Sequence, residues 1–158
     1  MIKVRPLDSH DREWATDLVR EHWQSTKTVT RGRIHFADEL PSYVAVRDAE
    51  RIGLVTYRID NCECEIVTMN SLVERIGVGT ALLDDVKATA KSAGCRRLWL
   101  VTTNDNLAAM RFYEKRGFHF AAIHPNAIEV SRKVKPEIPI LGLDGIPIRD
   151  EIELEILL

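Results

Sequence analysis

The chain has 158 residues, 45% hydrophobic and 29% charged, which is enough for one globular domain with its own core. Its formal net charge of −2 lacks the basic excess of a nucleic-acid binder, and no stretch has the length of a membrane span. Three cysteines are too few for a disulfide framework, so the expected compartment is a reducing cytoplasm.

Residues 2–6 read as a first strand, without the apolar run of a signal peptide. Ser9 is the expected cap of a helix reaching residue 20 or 22, with Trp14, Ala15, Leu18 and Val19 on one face. Residues 24–40 are polar and weakly patterned and are expected to be loop, with room for one short helix. Residues 43–46 and 52–57 are β-rich runs around a polar turn at 47–51, and a third antiparallel strand at 62–69 follows Asp60-Asn61. Cys62 and Cys64 lack a second Cys/His pair at zinc spacing, so they read as structural thiols and no metal is expected.

A helix follows Gly77-Val78-Gly79, with Ala81, Leu82, Leu83, Val86 and Ala90 as its apolar stripe and Gly94 closing it. Residues 97–103 are a nearly continuous apolar strand, suited to the middle of a sheet. A second helix over 106–116 turns Ala109, Met110, Phe112 and Tyr113 inward and ends at Gly117. A strand over 118–123 and an amphipathic helix over 127–135, stopped by Pro136, come next. Residues 142–147 read as an ordered loop that delivers a terminal strand over 148–158, either bracing the sheet or lining a substrate groove. That strand puts Ile148, Ile152, Leu154, Ile156 and Leu158 inside and its acids on the wet face. The expected architecture is α+β: one mixed, mainly antiparallel sheet with helices on both faces, in a single domain over 1–158.

Chemistry enters at Glu74-Arg75-Ile76-Gly77-Val78-Gly79-Thr80. A helix N-terminus presents unpaired N–H groups and partial positive charge, and glycines let that backbone approach an anion closely. Such a turn cradles phosphate. It lacks the Lys-Ser/Thr pair of a P-loop, and Leu82 stands where a dinucleotide fingerprint has its third glycine. By itself the motif also fits a plain tight turn. About thirty residues on, Asn106 and Tyr113 lie two turns apart on one side of the second helix, about 10 Å from each other. Singly, they also read as an N-cap and a core aromatic.

As a pair, with the strand before each, the two motifs resemble the GCN5-related N-acetyltransferase superfamily. The resemblance is specific over about residues 65–118 and agrees in element order elsewhere. It implies acetyl-CoA as the acyl-donor cosubstrate and a primary amine as acceptor. It implies that backbone amides of Arg75, Ile76, Gly77, Val78, Gly79 and Thr80 bind the CoA pyrophosphate. Ser71, Leu72 and Val73 match the splayed strand that pairs with the pantetheine arm and holds the acetyl carbonyl. Asn106 matches the asparagine beside the pantetheine. Tyr113 matches the tyrosine near the thiolate, a candidate catalytic acid.

Two positions depart from the family pattern. Glu74 stands where a Gln or Arg is usual, and a carboxylate beside a pyrophosphate is repelled, so Glu74 is expected to face solvent. The strand Leu100-Val101-Thr102-Thr103 carries no carboxylate to act as base. Glu63 and Glu65, on one face with Val67, are the alternatives, beside His35, His124 or a water relay. Acceptor choice is expected from residues 20–40 and 124–147, which hold Trp23, Arg31, Arg33, His35, His124, Lys133 and Lys135. A CoA-binding module without catalysis is the alternative function, and a structural domain with a chance Gly-x-Gly is the third reading. The sequence names neither the acceptor nor the assembly, leaving a homodimer open.

Overall fold

The computed structural model describes residues 1–158. In chain order it runs β1 (Lys3–Pro6), α1 (Arg12–Trp23), β2 (Lys27–Thr30), β3 (Arg33–Phe36), β4 (Ser42–Arg47), β5 (Glu50–Asp60) and β6 (Glu63–Ser71). Then come α2 (Val78–Ser92), β7 (Arg97–Thr103), α3 (Leu107–Glu114), β8 (His119–His124), α4 (Ala127–Val134) and β9 (Glu151–Leu157). Seven strands form one sheet in the order β1-β4-β5-β6-β7-β9-β8, and β2-β3 form a separate hairpin. Within the large sheet only β6 and β7 run parallel. No helix is long and apolar enough to cross a membrane.

The sheet separates two cores, as alternation along β5 requires. Leu54 packs with Ala15, Leu18 and Val19 of α1. Val55 and Tyr57 pack with Leu82, Leu83, Val86 and Ala90, the stripe of α2. Helix α2 closes as its sequence predicts: Gly94 N–H donates to the Lys91 carbonyl and Cys95 N–H to the Ala90 carbonyl, a Schellman pair. Helix α3 closes the same way around Gly117.

Six local expectations change. The chain enters α1 through a 3-10 turn over Ser9–Asp11 capped by Asp8, whose Oδ1 accepts from His10 N–H at 2.8 Å, while Asp11 Oδ2 accepts from Asp8 N–H at 2.9 Å. Asp11 is the N-cap of α1 itself, without a side-chain cap bond. A carboxylate pair thus takes the place expected for Ser9. Residues 27–36, expected as loop, form the β2–β3 hairpin around Arg31 and Gly32, both at positive φ. The inward side chains there are Thr28, Thr30 and His35, so no apolar alternation marks the strands. The β4–β5 turn shrinks to Asp48 and Ala49, both left-handed, and the next turn moves to Asn61 and Cys62. The last strand begins at Glu151, leaving Ile148 in the preceding loop. Because β9 is interior, its acids are not on a wet face. Glu151 is buried, and Glu153 and Glu155 each accept from Arg97 Nη1 at 2.8 Å.

The junction of β6 and β7 positions the site. They pair only through Glu63↔Arg97, Cys64↔Leu98 and Glu65↔Trp99, and then separate. The register with β5 jumps from Tyr57↔Ile66 to Thr56↔Thr68, so Val67 is an inserted residue. This bulge turns Met69 toward α2 and α3, and past Glu65 the edge of residues 66–71 that faces β7 is unpaired.

Candidate active site

At the end of β6, Ser71 Oγ donates to the Val73 carbonyl at 3.0 Å, and Leu72 N–H donates to the Ile52 carbonyl at 2.8 Å. The Leu72 amide is therefore already committed, while the Val73 amide has no partner in the chain. The backbone then reverses through left-handed Arg75 (φ 65°) and Gly77 (φ 90°), which caps α2 without any side-chain bond. The first α2 bond runs from Ala81 N–H to the Gly77 carbonyl at 3.0 Å. The N–H groups of Arg75, Ile76, Gly77, Val78, Gly79 and Thr80 consequently have no acceptor within the chain. They sit at the positive end of a fifteen-residue helix.

Gly79 is required by close packing: a Cβ there would lie 2.9 Å from Phe112 Cζ. The first turn of α2 thus rests directly on α3. Arg116, just past α3, fastens the contact. Its Nε donates to Thr80 Oγ1 and its Nη1 to the Phe112 carbonyl, both at 2.8 Å, and its guanidinium lies 3.7 Å from the Phe112 ring centre. A cleft of about 360 Å³ opens here, bordered by Ser71, Val73, Arg75, Gly77, Val78, Gly79, Thr80 and Tyr113. Leu72 and Ile76 lie outside its lining, and exposed Glu74 stands on its rim.

Tyr113 is only 7% exposed and meets the rings of Phe112 and Phe118 edge-on. Its hydroxyl donates to Met69 Sδ at 3.7 Å, a weak acceptor that a better one can displace. Burial pushes the Tyr113 pKa well up, so the phenol keeps its proton. Asn106 caps α3, its Oδ1 accepting from Ala109 N–H at 3.1 Å, while its amide hydrogens have no partner. It faces a different cavity from Tyr113.

That second cavity, of about 230 Å³, lies across the β6–β7 gap among α1's end, β2, β7, β9 and residues 138–148. Val67, Val101, Thr103 and Asn106 form its wall beside the gap. Thr30 borders this cavity and also the polar recess that contains Glu65. Thr30 Oγ1 donates to Glu65 Oε2 at 2.6 Å, and Arg58 Nη1 donates to Oε1 at 3.4 Å. With the Thr30 hydrogen so used, His35 Nε2 donates to Thr30 Oγ1 at 2.6 Å. Burial raises the Glu65 pKa. Burial, then the charges of Arg58 and Arg33, lower that of His35 to about 4, so this imidazole is neutral at pH 7. The other candidates are engaged elsewhere: Glu63 with Arg96 and Arg97, His124 with Glu153 at 3.0 Å.

The model of the acetyltransferase (GNAT) family matches residues 6–118. The chain belongs to that family. The uncharacterized Bacillus subtilis (strain 168) protein YdhI is 44% identical over 153 residues, 96% of each chain. The solved structure of an IAA acetyltransferase from Bacillus cereus ATCC 14579 matches with a TM-score of 0.76 and 21% identity over 100% of both chains. A GNAT family acetyltransferase from Elizabethkingia anophelis, solved with acetyl-CoA bound, matches at 0.71 and 21% identity over 99% of this chain and 98% of its own. The two solved structures are a likeness of fold.

This GNAT chain also brings residues to the site that its sequence did not single out. Arg116 reaches the cradle from beyond α3, and no motif marks it. Glu151 reaches the second cavity from β9, where its alternation with Ile152 reads as a wet face. Thr28 and Thr30 arrive on the hairpin.

Proposed function

We propose that residues 1–158 form one acetyltransferase domain that moves an acetyl group from acetyl-CoA to a primary amine. What carries this reading is the row of unpartnered N–H groups at residues 75–80, opening onto the same cleft as the Tyr113 hydroxyl. A row of amides at a helix N-terminus fits a diphosphate, and the Elizabethkingia relative of the fold supports acetyl-CoA as its bearer. When bound, acetyl-CoA supplies an activated thioester. The free edge of residues 66–71 suits its extended arm, and the unpaired Val73 amide suits a carbonyl. Asn106 offers its free amide hydrogens from the other side of the gap.

The chain's own groups divide the proton work. Tyr113, held neutral by burial, donates to the departing sulfur. Thr30 Oγ1, at the wall of the second cavity, takes a proton from the acceptor nitrogen as it passes its own to Glu65. The acceptor enters through that cavity, so proximity of amine and thioester lowers the barrier further.

Two measurements test the reading. Acetyl-CoA at a hundredfold over its Kd adds about 2.7 kcal/mol of stability, which a thermal melt detects. Thiol release over a panel of primary amines, protein lysines and N-termini then reports transfer. A raised melting temperature with no acetylated amine identifies a CoA-binding module instead. No shift at all removes acetyl-CoA from the account.

A further inference from the structure

We propose that the acceptor is a small primary amine that also carries a carboxylate and an apolar body, as an apolar α-amino acid does. The inference rests on the acetyltransferase reading above and names the substrate class of its second cavity.

The cavity, at about 230 Å³, holds a small molecule rather than a folded partner. Lys135 borders it and is only 6% exposed. Its ammonium donates to the Trp23 carbonyl at the end of α1, 2.7 Å away, which uses one of three donors. Glu137, the nearest carboxylate in sequence, is exposed and forms no ion pair with it. Burial lowers the Lys135 pKa and Glu137 opposes this only at a distance, so holding the cation here is costly and an incoming anion relieves that cost. A second, independent observation points the same way. Thr28 Oγ1 is the one buried side-chain polar atom without a hydrogen-bond partner, and Thr28, 6% exposed, borders the same cavity. An ammonium with donors to spare and an unpaired hydroxyl together suit a carboxylate.

The opposite charge is Glu151, 2% exposed. Its two oxygens accept from Arg31 N–H at 3.3 and 3.2 Å, and Oε1 lies 3.4 Å from the Arg31 guanidinium. Lone pairs remain for a substrate ammonium. Glu151 stands opposite Thr103 in the β7–β9 register, beside the gap where the thioester would lie. The remaining wall is apolar, with Val67, Val101, Ile138 and Ile148. In the transfer, the amine nitrogen bonds to the acetyl carbon as the carbon–sulfur bond breaks. The bound ammonium releases one proton to water before it attacks, and the sulfur leaves with the electron pair and gains one proton for the second lost from nitrogen. The products are an N-acetyl amino acid, its carboxylate unchanged, and free CoA.

The test compares three matched series with acetyl-CoA and the wild-type chain: L-leucine, L-methionine and L-phenylalanine, their amides, and their decarboxylated amines. Thiol release should favour at least one free amino acid over its amide and amine by tenfold or more in kcat/KM. Lys135→Met should erase that preference by raising the KM of the free acid at least tenfold, and Thr28→Val should raise it by a smaller factor. Equal or faster turnover of the neutral series overturns the proposal and leaves acetyl transfer standing. So does a preference that survives both substitutions. Turnover of none of the three series overturns this proposal alone; acetyl transfer falls with it only if protein lysines, N-termini and the wider amine panel are also inert while acetyl-CoA still raises the melting temperature.

Discussion

The cleft at residues 71–80 and the cavity across the β6–β7 gap lie on two sides of one strand, yet they are made of different material. The first presents backbone: six amides left free because a helix begins there, with Gly79 allowing the contact with Phe112. The second presents side chains from seven separate stretches, among them Trp23, Thr28, Thr30, Lys135 and Glu151. A backbone site depends on local conformation and tolerates changes of side chain around it. A side-chain site depends on tertiary assembly, and each member can be exchanged for another chemistry. On the proposed reading, with the acyl donor in the first and the acceptor in the second, the donor half reports the family and the acceptor half reports this protein.

The strongest way to break the donor half is to give its backbone a side chain. Gly79→Val places a Cβ against Phe112 and should lower acetyl-CoA affinity a hundredfold or more by calorimetric titration. Tyr113→Phe should leave that affinity within twofold while lowering the maximal rate of thiol release about a hundredfold, the scale of a lost general acid. An unchanged rate removes Tyr113 from the proton path.

The acceptor half should carry the pH sensitivity. His35 has a folded pKa lowered to about 4 from 6.5, so the unfolded chain takes up this proton first as pH falls. Its stability contribution is complete above pH 6.5 and is lost progressively toward pH 4. By pH 5 the loss reaches at most about 2 kcal/mol, at 1.36 kcal/mol per pH unit. Glu65, with its pKa raised, works against this by binding its proton early in the folded state. Urea unfolding at pH 7 and pH 5 should show the wild-type loss, and His35→Gln should flatten it. The smallest effect belongs to Glu74→Gln, which should leave acetyl-CoA affinity within twofold because the exposed side chain lies outside the row of amides.

What was legible in the sequence follows the same division. The β4–β5–β6 meander, the stripe of α2 and the closures at Gly94 and Gly117 are written in local periodicity and turn residues. So is the cradle. The β2–β3 hairpin was illegible because its buried positions are polar: Thr30 and His35 join a network with Glu65, and Thr28 borders the second cavity, so no apolar core marks them. The acids of β9 looked solvated because nothing in sequence announces that Arg97, His124 and Arg31 will come to meet them. The bulge at Val67 shows only in register, yet it directs Met69 toward Tyr113. Lys135 and Trp23, 112 positions apart, meet only when α4 docks beside the end of α1.

The central claim is that free amides of residues 75–80 hold the acyl donor. Following backbone amide resonances of the 15N-labelled chain while acetyl-CoA is added tests it directly. The account predicts that the amides of Val78, Gly79 and Thr80 move most, with those of residues 75–77 close behind, and that Glu74→Gln preserves the pattern. Saturable binding that leaves these amides still, with the shifts falling around Lys135 and Glu151, would contradict it.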